Sequence, residues 1–342
     1  MKKVGILTFH WATNFGAVLQ AYALQKCLEK MGFDAEVINY RPYRIILIQK
    51  IIMWRNYEHQ RKERALRRFR KKIKLSNQTV HTAKELKFVF EQYDSIIAGS
   101  DQIWNESFTL GAEGKVTLSY FLQNCPSHIK RISYAASFGA EKVSELYKEQ
   151  VKPELSQFSA ISVREKTGMN IVRGIGLEAE EVCDPTLLLT KEDYWKLTKD
   201  IQLDVPSVFS YILHKHQETI KIAEYVKKML GDNIGVSECS GLEEWLYAIQ
   251  HSEIVVTNSF HGVMLSIILN KPFIAVLIKG SGMNDRLSTI LAEVGLENRA
   301  VDSYDENLID AILRSPIAWN HVNNRLEALR NHGRSFLNHS LL

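Results

Sequence analysis

The residues best equipped for chemistry are Thr257-Asn258-Ser259-Phe260-His261-Gly262, set between the apolar runs Ile254-Val255-Val256 and residues 263–269. That order predicts a strand, a small polar turn and a helix. A helix start carries backbone N–H groups with no intrahelical partner and a partial positive charge, so it attracts phosphate or carboxylate. His261 falls at the junction, where an imidazole can donate to an anion or move a proton near neutral pH. The same residues also suit an N-cap turn, through Asn258 or Ser259, beside a packed histidine.

Other strand-like runs end in similar turns. They are Asn14-Phe15-Gly16, Gly99-Ser100-Asp101-Gln102, Ser137-Phe138-Gly139 and Arg164-Glu165. Their recurrence at one edge of a sheet is more telling than any one of them, because loops at that edge carry function in α/β proteins. Asp101 suits holding or deprotonating a sugar hydroxyl, or equally capping a turn. Trp104 suits stacking on a sugar face or packing in a core. Arg164 suits bidentate capture of an anion, or a salt bridge with Glu165 or another acid. Lys279, Asp285 and Arg286 follow the run 272–276 through Gly280-Ser281-Gly282. A glycine-flanked loop with cations suits an anion, although each cation alone also suits a solvated surface.

The elements that must position these groups alternate along the chain. Strands are expected at 4–8, 35–39, 95–98, 130–135, 160–163, 181–183, 207–212, 254–256 and 272–276. Helices are expected at 16–31, 219–230, 242–249, 306–314 and 320–331. Alternation of this kind argues for parallel sheets, and two such halves facing each other would form a cleft lined by strand ends. The first half is expected over 1–185, with an insertion at about 43–74. A crossover at 186–206 leads to a second half at 207–315, and residues 316–342 form a closing C-terminal helix. Gly16 belongs to no G-x-G-x-x-G, so a dinucleotide site has little support.

Bulk composition narrows the class. The chain has 342 residues, enough for two domains with their own cores. Its net charge is only +4, but residues 61–74 carry +8, which leaves −4 for the rest. One basic patch on a mildly acidic body suits an anionic membrane surface or a diphosphate headgroup, or else a solvated face. Aromatic residues do not interleave with the cations as a nucleic-acid module requires, so no nucleic-acid partner is expected. The four cysteines are scattered without C-x-x-C, which fits a reducing cytoplasm. No metal-ligand spacing is visible. No apolar run reaches the roughly 20 residues of a membrane span. Residues 1–7 read as a buried first strand rather than a signal peptide.

Taken in order, several stretches resemble the polysaccharide pyruvyl transferase family. They are Phe9-His10-Trp11-Ala12-Thr13-Asn14-Phe15-Gly16-Ala17 with Gln20, then Gly99-Ser100-Asp101-Gln102-Ile103-Trp104-Asn105, then Ser133-Tyr134-Ala135-Ala136-Ser137-Phe138-Gly139. Ser162-Val163-Arg164-Glu165, Asp184-Pro185-Thr186-Leu187-Leu188 and the His261 segment follow. The resemblance spans about residues 4 to 290. It implies an α/β fold of two Rossmann-like domains, as in GT-B glycosyltransferases. It also implies transfer of pyruvate from phosphoenolpyruvate to two hydroxyls of a sugar, forming a cyclic ketal, with no cofactor. The family associates an arginine at the place of Arg164 and a histidine at the place of His261 with the donor. Many members carry Arg-Leu-His where this chain has Ser259-Phe260-His261, so another cation must replace that arginine.

The expected site follows. His261 and Asp101 would do the proton chemistry. Arg164, Ser259, His261, Gly262 and Lys279 or Arg286 would hold phosphoenolpyruvate. Asn14, Phe15, Gly16, Gln20, Ser100, Asp101, Gln102 and Trp104 would meet the saccharide acceptor. The expected setting is a cytoplasmic enzyme of surface-polysaccharide synthesis, peripheral at the inner membrane face, with a diphosphate-lipid-linked acceptor. The alternatives are a GT-B glycosyltransferase using a nucleotide sugar, and a non-catalytic membrane-associated scaffold built around residues 43–74.

Overall fold

Short, continuously apolar strands bounded by helices bury both faces, the pattern of parallel sheets. In the computed structural model the described residues are 1–43, 47, 57–109, 117–231, 239, 241–278 and 284–342. The apolar stretch 45–54, apart from Leu47, lies outside them, as do Lys279 and residues 280–282. The chain divides into two compact units, Met1–Leu189 with Arg330–Leu342, and Thr190–Leu329.

In the first unit, β1 (Lys3–Leu7) leads into helix α1 (Phe15–Lys30) and β2 (Asp34–Val37). Helix α2 (Tyr57–Arg70), β3 (Ser95–Ala98) and β4 (Lys130–Ser133) follow. The sheet order is β2-β1-β3-β4, with every pair parallel. Single bridges, Ile132 to Ala160 and Ala136 to Val163, extend it toward β5 (Ser162–Val163), which pairs in parallel with β6 (Glu180–Glu181). The chain leaves β1 for β2 on one side and then crosses to β3 on the other. The C-terminal ends of β1 and β3 therefore border a topological switch point, where open α/β sheets leave a crevice for ligands.

In the second unit, β7 (Val208–Tyr211), β8 (Ile254–Thr257), β9 (Phe273–Val276) and β10 (Ala300–Val301) form a parallel sheet in the order β10-β9-β8-β7. Helix α3 (Phe260–Ile268) joins β8 to β9, and α4 (Asn284–Val294) lies between β9 and β10. The two-residue β10 is too short for any sequence period to reveal.

The C-terminal helix runs over Trp319–Leu341, past the periodic stretch at 320–331 and within the closing segment 316–342. Gly333 invites a stop, but a Cβ there would come within 2.4 Å of the Tyr134 hydroxyl, so glycine allows the helix to lie on the tyrosine. Arg330 Nε donates to Leu187 O at 2.8 Å and Arg334 Nη2 to Leu188 O at 2.9 Å, while Phe336, Leu337 and Leu341 are buried. These contacts hold the last turns in the first unit.

Candidate functional site

The first unit gathers polar groups at the carboxyl edge of its sheet. Backbone pairing continues past the strands: Ser137 N donates to Asp101 O at 3.0 Å, Arg164 N to Ala136 O at 3.2 Å and Val182 N to Val163 O at 3.0 Å. The loops after β3, β4, β5 and β6 are thus held in register. Gly99 has φ +134°, and a Cβ there would meet Tyr134 O at 2.2 Å, so only glycine fits. Asp101 follows with φ 78°, a left-handed conformation uncommon for aspartate and frequent at functional sites.

Arg164 is the centre of this edge. Its Nη1 donates to Asp184 Oδ2 at 2.6 Å. Asp101 Oδ1 lies 3.7 Å from Nη2, and Glu165 Oε2 lies 3.8 Å from Nε. Burial works against its charge, yet Asp184, Asp101 and Glu165 more than compensate and raise its pKa above the ordinary arginine value. Asp184 is fixed in turn, because its Oδ1 accepts from Thr186 N at 2.9 Å and from Thr186 Oγ1 at 2.7 Å. Arg164, expected to meet the donor anion, is thus paired with acidic side chains of its own unit. Its guanidinium is hydrogen-bonded to Asp184, with Asp101 and Glu165 at ion-pair distance.

The expected acceptor residues separate by burial. Asp101 and Gln102 are partly exposed. Trp104 is fully buried, stacked on Phe121 with centroids 5.1 Å apart, and its Nε1 donates to Tyr120 O at 3.1 Å. That tryptophan is core and offers no face to a sugar. Gln20 is also fully buried, donating to Thr8 Oγ1 at 2.8 Å and accepting from Ser100 N at 3.1 Å. It braces the loops after β1 and β3. Ser100 Oγ donates to Ala135 O at 2.7 Å. Asn14 caps α1, its Oδ1 accepting from Gly16 N at 2.8 Å. Gly16 and Phe15 are buried, and Lys62 Nζ lies 4.4 Å from the Phe15 ring centroid.

The basic run has two faces. Ala65, Leu66 and Phe69 of α2 are buried, while Arg61, Arg64, Arg67 and Arg68 are exposed. Arg70 is buried beside Glu63, whose Oε1 accepts from its Nη1 at 2.8 Å. It also donates to His10 O at 3.0 Å, Trp11 O at 3.0 Å and Ala12 O at 2.7 Å. One member of the basic patch thus serves to fix the loop after β1.

His10 in that loop is fully buried, with Nε2 3.2 Å from Asn39 Oδ1 and Nδ1 3.3 Å from Thr8 O. Burial, helped by the nearby Arg41 charge, lowers its pKa from 6.5 to about 3. The unfolded chain takes up this proton near pH 6.5, whereas the folded chain refuses it until about pH 3. Stability from this group is therefore complete above pH 6.5 and is lost as pH falls through the window. The expected loss is about 2 kcal/mol between about pH 7 and pH 5. Urea midpoints at both values should show it, with a flatter slope in His10→Gln. Equal slopes in the two proteins would remove the assignment.

In the second unit, Thr257 Oγ1 donates to Tyr211 O at 2.5 Å and accepts from Ser259 N at 3.0 Å. Asn258 clamps the loop after β7, accepting from Leu213 N at 2.7 Å and donating to Leu213 O at 3.0 Å. Ser259 is the N-cap of α3, its Oγ accepting from Gly262 N at 3.3 Å. A Cβ on Gly262 would come within 2.8 Å of Thr257 Oγ1, so glycine lets the helix start tight against the strand. His261 stands in the first turn, 8% exposed. Its ring is edge-on to Phe260 with centroids 5.2 Å apart, and the Arg286 guanidinium carbon lies 5.5 Å from the Phe260 centroid. The structure thus brings Ser259, Phe260, His261, Gly262 and Arg286 together at one helix start.

The sequence reading missed Asp184, Arg70, Trp11 and Phe108 as contributors to the carboxyl edge of the first unit. Asp184 and Trp11 lie inside the quoted motifs, so their signal was present without a role attached.

The polysaccharide pyruvyl transferase family model matches residues 14–280. The chain belongs to this family. None of the curated proteins matches it by sequence. Among solved structures, it is similar to the UDP-GlcNAc 2-epimerase from Neisseria meningitidis bound to UDP-GlcNAc, at 12% identity, with 100% of this chain and 99% of that chain covered and a TM-score of 0.50. The UDP-GlcNAc 2-epimerase from Methanocaldococcus jannaschii, in complex with UDP-GlcNAc and UDP, gives 12%, 92%, 94% and 0.52 on the same measures. The UDP-N-acetylglucosamine 2-epimerase from Rickettsia bellii gives 9%, 100%, 97% and 0.53. These likenesses place the pyruvyl transferase family member in the GT-B fold. Among its described residues no helix is long and apolar enough to cross a membrane.

Proposed function

We propose that this family member transfers pyruvate from phosphoenolpyruvate onto two hydroxyls of a surface-polysaccharide sugar. A proton adds to the methylene carbon, and one sugar oxygen bonds to the central carbon. The bond from that carbon to the phosphate oxygen breaks, and the second sugar oxygen closes the ketal. Of the two hydroxyl protons released, one balances the new methyl group and the other leaves on phosphate.

The observation that carries the reading is the grouping of His261 and Arg286 at the start of α3. A small, highly charged donor needs cationic and N–H partners, and this helix start supplies an imidazole, a guanidinium and backbone N–H groups. Arg286 is assigned the place of the arginine absent beside His261, and Ser259 and Gly262 complete the turn. Lys279 remains a second candidate cation. In the first unit, Asp101 is assigned to orient or deprotonate the acceptor hydroxyl, with Arg164 and Asp184 holding it. The exposed arginines of α2 support an acceptor linked to a diphosphate-lipid at an anionic membrane surface.

Calorimetric titration with phosphoenolpyruvate, beside UDP and GDP, tests the donor. Binding of phosphoenolpyruvate alone is expected, weakened about tenfold or more in Arg286→Ala by loss of a charge-assisted contact. Binding of UDP, seen in the M. jannaschii neighbour, without phosphoenolpyruvate would make this chain a nucleotide-sugar enzyme instead.

A further inference from the structure

The carboxyl edge of the first unit carries a group of aromatic rings that the reaction above does not use. Phe9, just past β1, is 8% exposed. Its ring centroid lies 5.4 Å from Trp11, 6.1 Å from Phe108 and 4.9 Å from Tyr120. Tyr120 is buried, but Trp11 is only partly buried and Phe108 is 51% exposed. Two partly open rings therefore rest on one buried ring. An aromatic pair left open in this way loses contact area that burial would supply, unless a ligand covers it.

Their place in the fold indicates the ligand. Trp11 follows β1 and Phe108 follows β3, the two strands that border the switch point. Thr8 Oγ1 donates to Ser100 O at 2.9 Å and joins the two loops. From Asp101 the chain reaches Phe108 by tight turns: Ile103 N donates to Asp101 O at 2.8 Å, Asn105 N to Gln102 O at 3.1 Å and Phe108 N to Asn105 O at 3.1 Å. The aromatic pair thus sits on the same edge as the carboxylate assigned to the acceptor hydroxyl. The loop bearing Trp11 is also fixed, because Arg70 donates to the carbonyls of His10, Trp11 and Ala12. A rigid ring on the same sheet edge as a carboxylate matches a pyranose, which has an apolar C–H face and a hydroxyl rim.

We propose that Trp11 and Phe108 form the stacking platform for a pyranose ring of the acceptor. The proposal rests on the pyruvyl-transfer reading for its ligand class, but it concerns the first unit alone. It replaces Trp104, which the core has absorbed.

Saturation-transfer NMR on the full chain tests it, with methyl β-D-galactopyranoside, methyl β-D-glucopyranoside and methyl α-D-mannopyranoside as probes. Irradiating the aromatic protons should saturate ring C–H protons on one face of at least one sugar. In Trp11→Ala and in Phe108→Ala the saturation should fall about three- to tenfold, the effect of losing one stacked ring. Trp11→Phe should retain most of it. Phe108 is exposed enough that its loss leaves the melting temperature unchanged, so that variant separates binding from folding. Equal saturation in wild type and both alanine variants overturns the platform, as does an absence of saturation with all three sugars. Phosphoenolpyruvate calorimetry on the same samples separates the two ideas. Sugar binding through Trp11 without donor binding keeps the platform and removes the donor. Donor binding with sugar binding indifferent to Trp11 and Phe108 does the reverse.

Discussion

Turnover of His261→Ala is expected to fall about 10²- to 10⁴-fold, the usual contribution of a positioned proton-transfer group. The fold should survive. His261 contributes one side chain to the first turn of α3, while the start of that helix depends on the Ser259 cap and the Gly262 contact with Thr257. The readout is phosphate released from phosphoenolpyruvate, with saccharide from the producing cell's own surface as acceptor. His261→Gln separates two roles, because its amide can still donate to phosphate but cannot pass a proton near neutral pH. Donor binding retained with turnover lost would assign His261 to proton transfer. Both lost together would assign it to binding. Near-normal turnover in a folded alanine variant would end its place in the mechanism.

Asp184→Ala is expected to produce the largest loss of stability, about 3–5 kcal/mol, because it breaks a buried ion pair and leaves its partner behind. Arg164 would lose its 2.6 Å partner and keep the more distant Asp101 and Glu165 contacts, at 3.7 and 3.8 Å. Thr186 would lose the acceptor for both its N–H and its hydroxyl. Asp184→Asn keeps an oxygen for Thr186 but removes the charge, so its loss should be intermediate. Urea midpoints of the three proteins give the ranking. An alanine variant within about 1 kcal/mol of wild type, the usual range of an exposed pair, would show that Asp184 does not hold the arginine. The positioning role adds a kinetic expectation. At a temperature where Asp184→Asn remains folded, turnover should drop while phosphoenolpyruvate affinity stays level, because Asp101 moves and the donor residues of the second unit do not.

Much of the architecture was legible in the chain. The apolar runs at 95–98 and 254–256, each followed by a polar turn, gave one strand in each of the two sheets. Local turn chemistry was legible too. Asn14 caps the amide two residues on, and Ser259 the amide three residues on, so both signals lie within one turn of helix. The ordered motifs carried the family. The packing of the closing helix was not legible, because the contact of Gly333 with Tyr134 joins residues far apart in the chain.

The site divides in the same way. By itself the sequence marked the polar loops after β1, β3, β5 and β8, with Asp101, Arg164 and His261 among their residues. Only tertiary structure decided what each side chain does there. Arg164 meets Asp184 from 20 residues away, Arg70 fixes the Trp11 carbonyl from 59, and Gln20 braces Ser100 from 80. Trp104 looks able to stack on a sugar, but it is enclosed by Phe121 and Phe138, whereas Trp11 rests half-open on Phe9. Periodicity and capping act over two to four residues and leave a mark in the sequence. Burial and the choice of ion partner are settled by strand order and by loops distant along the chain, and no local pattern encodes them.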